Sequence, residues 1–253
     1  MTLPGWLRSF LRFPMKGAAM AREKEKPAWV PTAITHRAFQ IAADGHADCV
    51  RKGSDIPYLG HLLGVASLVI EAGGTENQAA AALLHDVLED TPLKVDELAN
   101  MLGGDDGAIV AGIVAGCTDT TFERKAAIKI EQEKWSPERK AESWWNDRKK
   151  PYIDKLAATS NTAGHDSYIV VSLADKTYNA ENTASDLRGL VGPARDEVWN
   201  KFNVGVEHQK LWYRGLVEAY TTDNKTYTPG EQALLDRFIA AVDEMFPGEG
   251  GPE

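Results

Sequence analysis

One stretch constrains the fold more than any other: residues 79–91, AAAALLHDVLEDT, an apolar helical run that ends in four polar side chains. Residues 79–84 are strong helix formers with no polar member, which places them in a core. His85 and Asp86 interrupt the run, and Glu89 and Asp90 follow. On a continuous helix over 76–90, His85 shares a face with Glu89 and Asp86 with Asp90, because residues four apart are neighbours. Four polar groups at the end of a buried helix carry a large desolvation cost unless something binds them. A divalent cation is the simplest such partner. The alternative from these residues alone is a plain helix end at Asp90-Thr91-Pro92, with His85 a satisfied core histidine.

The rest of the chain also reads as helices. Thr35 caps a helix over 35–49 with Ala38, Ile41 and Ala42 on its apolar side. Arg51, Lys52, Gly53 and Pro57 mark a loop. His61 opens an apolar helix that stops at Gly73-Gly74. Helices over 95–102 and 106–115 follow the central one. Residues 121–150 are highly charged and carry Trp135, Trp144 and Trp145; they read as the least ordered interior stretch, a lid or long excursion. A helix over 151–159 and a polar linker over 159–166 lead to YIVVSL at 168–173. That run is β-branched, but it continues unbroken into ADKTYNAEN. It therefore reads as the buried start of a helix, with a strand as the local-propensity alternative. Helices over 194–220 and 229–246 complete an all-α fold with no repeat and no βαβ alternation.

The expected organisation is one domain over 31–246, flanked by two short zones. Residues 1–30 carry six basic side chains against two glutamates and read as a flexible extension. Trp6, Leu7, Phe10, Leu11 and Phe13 give the alternative, a basic amphipathic helix that touches a membrane or a partner. The Gly/Pro/Glu tail over 247–253 reads as disordered.

Composition excludes several classes. With 28 Lys+Arg against 37 Asp+Glu and a formal net charge of −9, the surface is not that of a nucleic-acid binder. Cys49 and Cys117 offer neither a disulfide framework nor a CxxC pair, which fits a reducing cytoplasm. No apolar run approaches the ~20 residues of a membrane span, and no secretory segment is visible. The expectation is a soluble cytoplasmic protein whose partner is a small molecule. Nothing in the sequence sets an oligomeric state.

Candidate metal ligands are His61, His85, Asp86 and Asp175, each near an end of an apolar helix. Two imidazoles and two carboxylates form a mixed N/O set that suits Mn²⁺ or Fe²⁺ better than a closed Zn²⁺ site. Such a cation lowers the pKa of water from ~15.7 toward roughly 7. Glu89 and Asp90 are placed to orient that water and take its proton. Arg51, Lys52, Arg148 and Lys149 supply the positive charge a phosphate-bearing substrate needs.

The order of motifs resembles the HD superfamily, and within it the hydrolase domain of the RelA/SpoT homologues, including stand-alone small alarmone hydrolases. The matching pieces are HADCVRKGSDIPYLGH at 46–61, AALLHDVLEDT at 81–91, CTD at 117–119, DRK at 147–149 and SLADKTYN at 172–179. VWNKFN at 198–203 and LWYRGLVEA at 211–219 resemble an extension of bacterial stand-alone members. The resemblance implies an HD-domain helical bundle over a motif core of 36–182, with a helical extension over 183–246. It implies metal ligation by His61, His85, Asp86 and Asp175, a catalytic acidic pair Glu89 and Asp90, and substrate contacts at Arg51, Lys52 and Asn179. The implied activity is Mn²⁺-dependent hydrolysis of ppGpp or pppGpp at the 3′ position, one Mn²⁺ per chain, with Fe²⁺ or Zn²⁺ as second choices. The products would be pyrophosphate and GDP or GTP.

Three departures from the family pattern bear on the base-binding side: His46-Ala47-Asp48-Cys49 for the usual HxGQ, Leu62 for a proline, and a longer insert between Asp119 and Arg148. They leave an adenosine analogue or NADPH as the alternative substrate, and a non-catalytic nucleotide-binding HD domain as the alternative to an enzyme. His46 is read as structural rather than pocket-lining, and Trp144 and Trp145 as packing rather than base-stacking.

Overall fold

The structure, a computed structural model, describes residues 26–162, 166–202 and 204–248. Among these the chain is helical, with no strand beyond isolated bridges from Val50 to Pro57 and from Asn161 to Lys225. Helices α1 (Ala33–Gly45), α2 (Leu59–Glu71), α3 (Glu76–Leu84), α4 (Val87–Asp90), α5 (Val95–Leu102) and α6 (Gly104–Cys117) come first. Then follow α7 (Phe122–Glu131), α8 (Pro137–Ser143), a π-helical segment Trp144–Lys149 and α9 (Lys150–Ala158). The last four are α10 (Tyr168–Leu187), α11 (Pro193–Trp199), α12 (Val206–Tyr220) and α13 (Pro229–Met245).

Two helices carry the centre. Every residue of α3 from Gln78 to Leu84 is buried, because α1, α2, α6 and α10 enclose it. Thr75 and Gln78 close a reciprocal cap at its start, satisfying backbone donors that would otherwise be orphaned. The other central helix, α10, packs on α13, α2, α6 and α3. Ile169, Val170, Val171, Leu173 and Ala174 are all buried, so the β-branched run is a helix whose first turns are surrounded, capped by Ser167 onto the Ile169 amide. One hydrophobic cluster runs from Ile34 to Phe246. Gly64 permits the approach that matters most for the site: a Cβ there would stand 2.1 Å from the Tyr178 ring. This absence lets α10 lie close on α2 beside His61.

Several sequence expectations are corrected. Thr32, not Thr35, caps α1, and α1 ends at Gly45 rather than at residue 49. Residues 49–58 instead fold back, with the Tyr58 amide bonding the Cys49 carbonyl. The central helix is not continuous. It breaks at His85–Asp86, where Asp86 sits at φ −97°, ψ −5°, so the face-sharing pairs expected of a straight helix are replaced by a kink. Residues 121–150 are helical rather than irregular. The helix expected over 194–220 is two, α11 and α12. The basic zone expected over 1–30 lies outside the described residues up to residue 25, as do residues 249–253 of the tail and residues 163–165 of the linker. Among the described residues no helix is long and apolar enough to cross a membrane.

Candidate active site

α2 delivers His61, the break between α3 and α4 delivers His85 and Asp86, and α10 delivers Asp175. The structure brings all four together. The two imidazole Nε2 atoms lie 3.2 Å apart. An Asp86 Oδ2 stands 3.0 Å from His85 Nε2 and 3.6 Å from His61 Nε2. Asp175 Oδ1 stands 3.3 Å from His61 Nε2 and 3.5 Å from His85 Nε2. The kink at Asp86 explains why consecutive residues can both face inward: a straight helix would turn the second away by ~100°.

The donor chemistry fits a divalent cation. His85 Nδ1 donates to the Ala82 carbonyl at 2.8 Å, which fixes the tautomer and leaves the Nε2 lone pair aimed at the cluster. Burial opposes a charge on His85, but Asp86 and Asp175 raise its pKa well above the ordinary value. The two carboxylates behave oppositely. Burial would raise them, yet His85 holds Asp86 well below the usual range, and Lys176 with His85 does the same for Asp175. A buried spot that pulls protons onto an imidazole while keeping two carboxylates ionised attracts positive charge. Asp175 is held from both sides, its Oδ2 paired to Lys176 and its Oδ1 accepting from Asn179 Nδ2 at 2.6 Å. Tyr58 donates to Asp86 Oδ2 at 2.5 Å, and burial together with that carboxylate pushes the phenol pKa up.

A cavity of about 180 Å³ opens on this cluster, lined in part by Asp86, Asp175, Glu89, Asp119, Lys176 and Trp212. Glu89 is pushed up to about 7, first by burial and then by the Asp119 and Asp86 charges. One of its oxygens accepts from the Asp119 amide at 3.0 Å. Asp119 itself is held below the usual carboxylate range, since Lys149 and Arg148 outweigh its burial. Asp90 does not line this cavity. It pairs with Lys125 at 2.5 Å and lies 3.8 Å from His46 Nε2.

Next to it lies a larger, basic cavity of about 540 Å³ whose lining includes Arg51, Lys52, Lys149, Lys176, Asn179 and Lys201. Arg51 lies over the Tyr178 ring at 5.1 Å and keeps a buried Nη1 without a partner. Of the substrate residues expected from sequence, Arg51, Lys52, Lys149 and Asn179 meet here. Arg148 does not: its Nη2 bonds Asp119 at 2.8 Å, and it lines a separate cavity beside α7. His46 is buried behind the wall, its Nδ1 bonded to the Ala42 carbonyl and its ring stacked on Tyr58. Trp144 packs against Trp212 and also borders the basic cavity. Tyr58, Asp119 and Lys176 were missed as site residues although each lies inside a quoted motif. Trp212 was missed as well, although it lies inside the LWYRGLVEA piece at 211–219.

The family model described as HD domain matches residues 38–200. Among curated relatives, a Synechocystis sp. protein named probable guanosine-3′,5′-bis(diphosphate) 3′-pyrophosphohydrolase is 32% identical over 111 residues, 44% of this chain and 14% of that protein. A Haemophilus influenzae protein of the same name without "probable" is 30% identical, matching 67% of this chain and 22% of its own length. A similarly named Danio rerio protein is 34% identical over 42% of this chain and 58% of its own. The chain thus spans less than two thirds of the length of each. A solved metazoan ortholog of SpoT aligns with TM-score 0.53 at 24% identity, covering 84% of this chain and 97% of that one. A Listeria monocytogenes structure does so with TM-score 0.53, also at 24% identity, over 74% and 99%. At that identity the two structures speak for the fold.

Proposed function

The chain belongs to the HD domain family, and from that premise we propose a cation-dependent phosphohydrolase that removes pyrophosphate from the 3′ position of guanosine 3′,5′-bis(diphosphate), leaving GDP. The observation that carries this reading is the meeting of His61, His85, Asp86 and Asp175 in one buried cluster, with Glu89 on the wall of the same cavity and a basic cavity beside it. Mn²⁺ is the proposed cation, from the N/O donor set, and the cytoplasm the proposed location, in keeping with two free cysteines.

A bound cation supplies Lewis acidity, bringing the pKa of water toward neutrality and polarising phosphoryl oxygens. His61, His85, Asp86 and Asp175 would hold it, and Lys176 and Asn179 keep the Asp175 carboxylate from turning away. Glu89 takes the proton of the attacking water. Burial and the neighbouring Asp119 carboxylate raise its affinity for a proton, which is what a general base requires. Asp90, expected as the second member of the acidic pair, is anchored by Lys125 outside this cavity, so the proton transfer falls to Glu89. Arg51, Lys52, Lys149 and Asn179 bind the anionic nucleotide in the basic cavity, whose 540 Å³ lies within the roughly 300–1,000 Å³ of small-molecule sites. Arg148 acts on Asp119 rather than on the substrate.

The test is product analysis of guanosine 3′,5′-bis(diphosphate) incubated with the Mn²⁺-loaded protein, beside Asp86→Ala and Glu89→Gln. GDP and pyrophosphate in equal amounts, lost in both variants, are expected. Undiminished turnover in Asp86→Ala would refute the assignment of the centre. No turnover with Mn²⁺ bound would refute the substrate and direct the search to adenosine analogues and NADPH.

A further inference from the structure

Trp212 lies on α12, beyond the residues 38–200 that the family model matches. It is 6% exposed and borders both cavities. The Lys149 ammonium lies 4.5 Å from its ring centroid and the Lys176 ammonium 5.8 Å. Each lysine also meets one carboxylate, Lys149 at Asp119 and Lys176 at Asp175, and a second ring, Trp144 at 5.7 Å and Tyr152 at 5.6 Å. An ammonium has three N–H donors; the carboxylate accepts from it, while rings 4.5–5.8 Å away attract the charge without accepting a hydrogen bond, so each lysine can bind another acceptor. The ring matters for a specific reason. An indole face holds a cation by its quadrupole and carries no formal charge. It fixes both ammonium groups without neutralising them, as a third carboxylate would.

We propose that Trp212 is a positioning residue that holds Lys149 and Lys176 at the junction of the two cavities, so that both grip an anion of pyrophosphate type bridging them. This deepens the proposed function and rests on it only for the identity of the nucleotide. The C-terminal helices then complete the anion site.

The experiment is a calorimetric titration of the Mn²⁺-loaded protein with inorganic pyrophosphate, alongside bound-metal content and melting temperature. Trp212→Leu is expected to weaken pyrophosphate binding roughly tenfold, the scale of desolvated cation–π contacts, with the bound metal unchanged. Trp212→Phe keeps a ring face and should lose about threefold or less at an unchanged melting temperature. A double-mutant cycle separates positioning from bulk packing: in a Lys149→Met background, Trp212→Leu should cost far less than in the wild type. An equal loss in both backgrounds, or unchanged affinity in Trp212→Leu, would overturn the proposal. So would failure of the wild type to bind pyrophosphate. Trp212-dependent pyrophosphate binding without turnover of guanosine 3′,5′-bis(diphosphate) would uphold this inference and refute the substrate assignment.

Discussion

The acidic cavity at the cluster and the basic cavity beside it share Lys149, Lys176, Asn179 and Trp212, yet they are built on opposite plans. The acidic side consists of buried and part-buried groups that constrain one another: Asp175 is gripped by Lys176 and Asn179, Asp86 by Tyr58, and Glu89 by the Asp119 amide. The basic side draws on the 51–54 turn, the π-helical segment and α10–α12, and two of its four lysines, Lys52 and Lys201, are exposed. Lys201, for example, pairs with Asp186 at 3.1 Å in an exposed contact. In a desolvated site each partner lost leaves another unpaired, whereas a solvated cation is replaced partly by water and salt. The acidic side should therefore respond to substitution as a unit, and the basic side by degrees.

The sharpest way to break that contrast is Asp175→Ala, which removes a proposed metal ligand and strands the part-buried Lys176 that pairs with it. Loss of bound Mn²⁺ by elemental analysis and a fall in kcat/KM of at least about a thousandfold are expected, a cation's Lewis acidity being worth several kcal/mol. A graded loss would mean that the acidic side is not a unit. Glu89→Gln comes next, with kcat down by about 10²–10⁴ and the bound metal unchanged.

Glu89 also has a signature in the metal-free protein. Its pKa rises from 4.5 to about 7 on folding, so between those values the folded chain holds a proton that the unfolded chain has released. Stability then falls as pH rises through that window, by roughly 3 kcal/mol in all. Metal-free Glu89→Gln should melt higher than the wild type at pH 8, and the gap should close near pH 4.5. A constant gap would remove the raised pKa from the account.

On the basic side, Arg51→Ala should raise KM by roughly ten- to thirtyfold, the scale of a charge-assisted contact, with kcat within about threefold. Added salt should shrink the difference. The smallest effect belongs to Lys201→Ala, a rise in KM of about two- to fivefold, as for exposed ion pairs. An all-or-none loss at Lys201 would erase the distinction between the two sides.

Much of the acidic side was legible because its chemistry is local. An apolar run ending in His85 and Asp86, or a buried β-branched run ending in Asp175, signals a polar group forced into a core whatever the topology. The kink at Asp86 was not legible. Residues 79–84 are strong helix formers and 85–90 contain neither Gly nor Pro, so only the pull of His85 and Asp86 toward one point distinguishes a broken helix from a straight one. Glu89 and Asp90 looked equivalent in sequence. The turn of α4 sends Glu89 into the cavity and Asp90 to Lys125.

By itself, the sequence determined that this protein is helical, which helices are buried, and which side chains needed a partner there, because periodicity and desolvation act over a few residues. Only the tertiary structure decided that Arg148 and Lys149 both turn to Asp119 while Lys149 alone also meets Trp212, and that α12 closes the site from beyond the matched region. Those outcomes depend on how helices far apart in sequence pack, and a packing partner leaves no periodic trace in the residues that receive it.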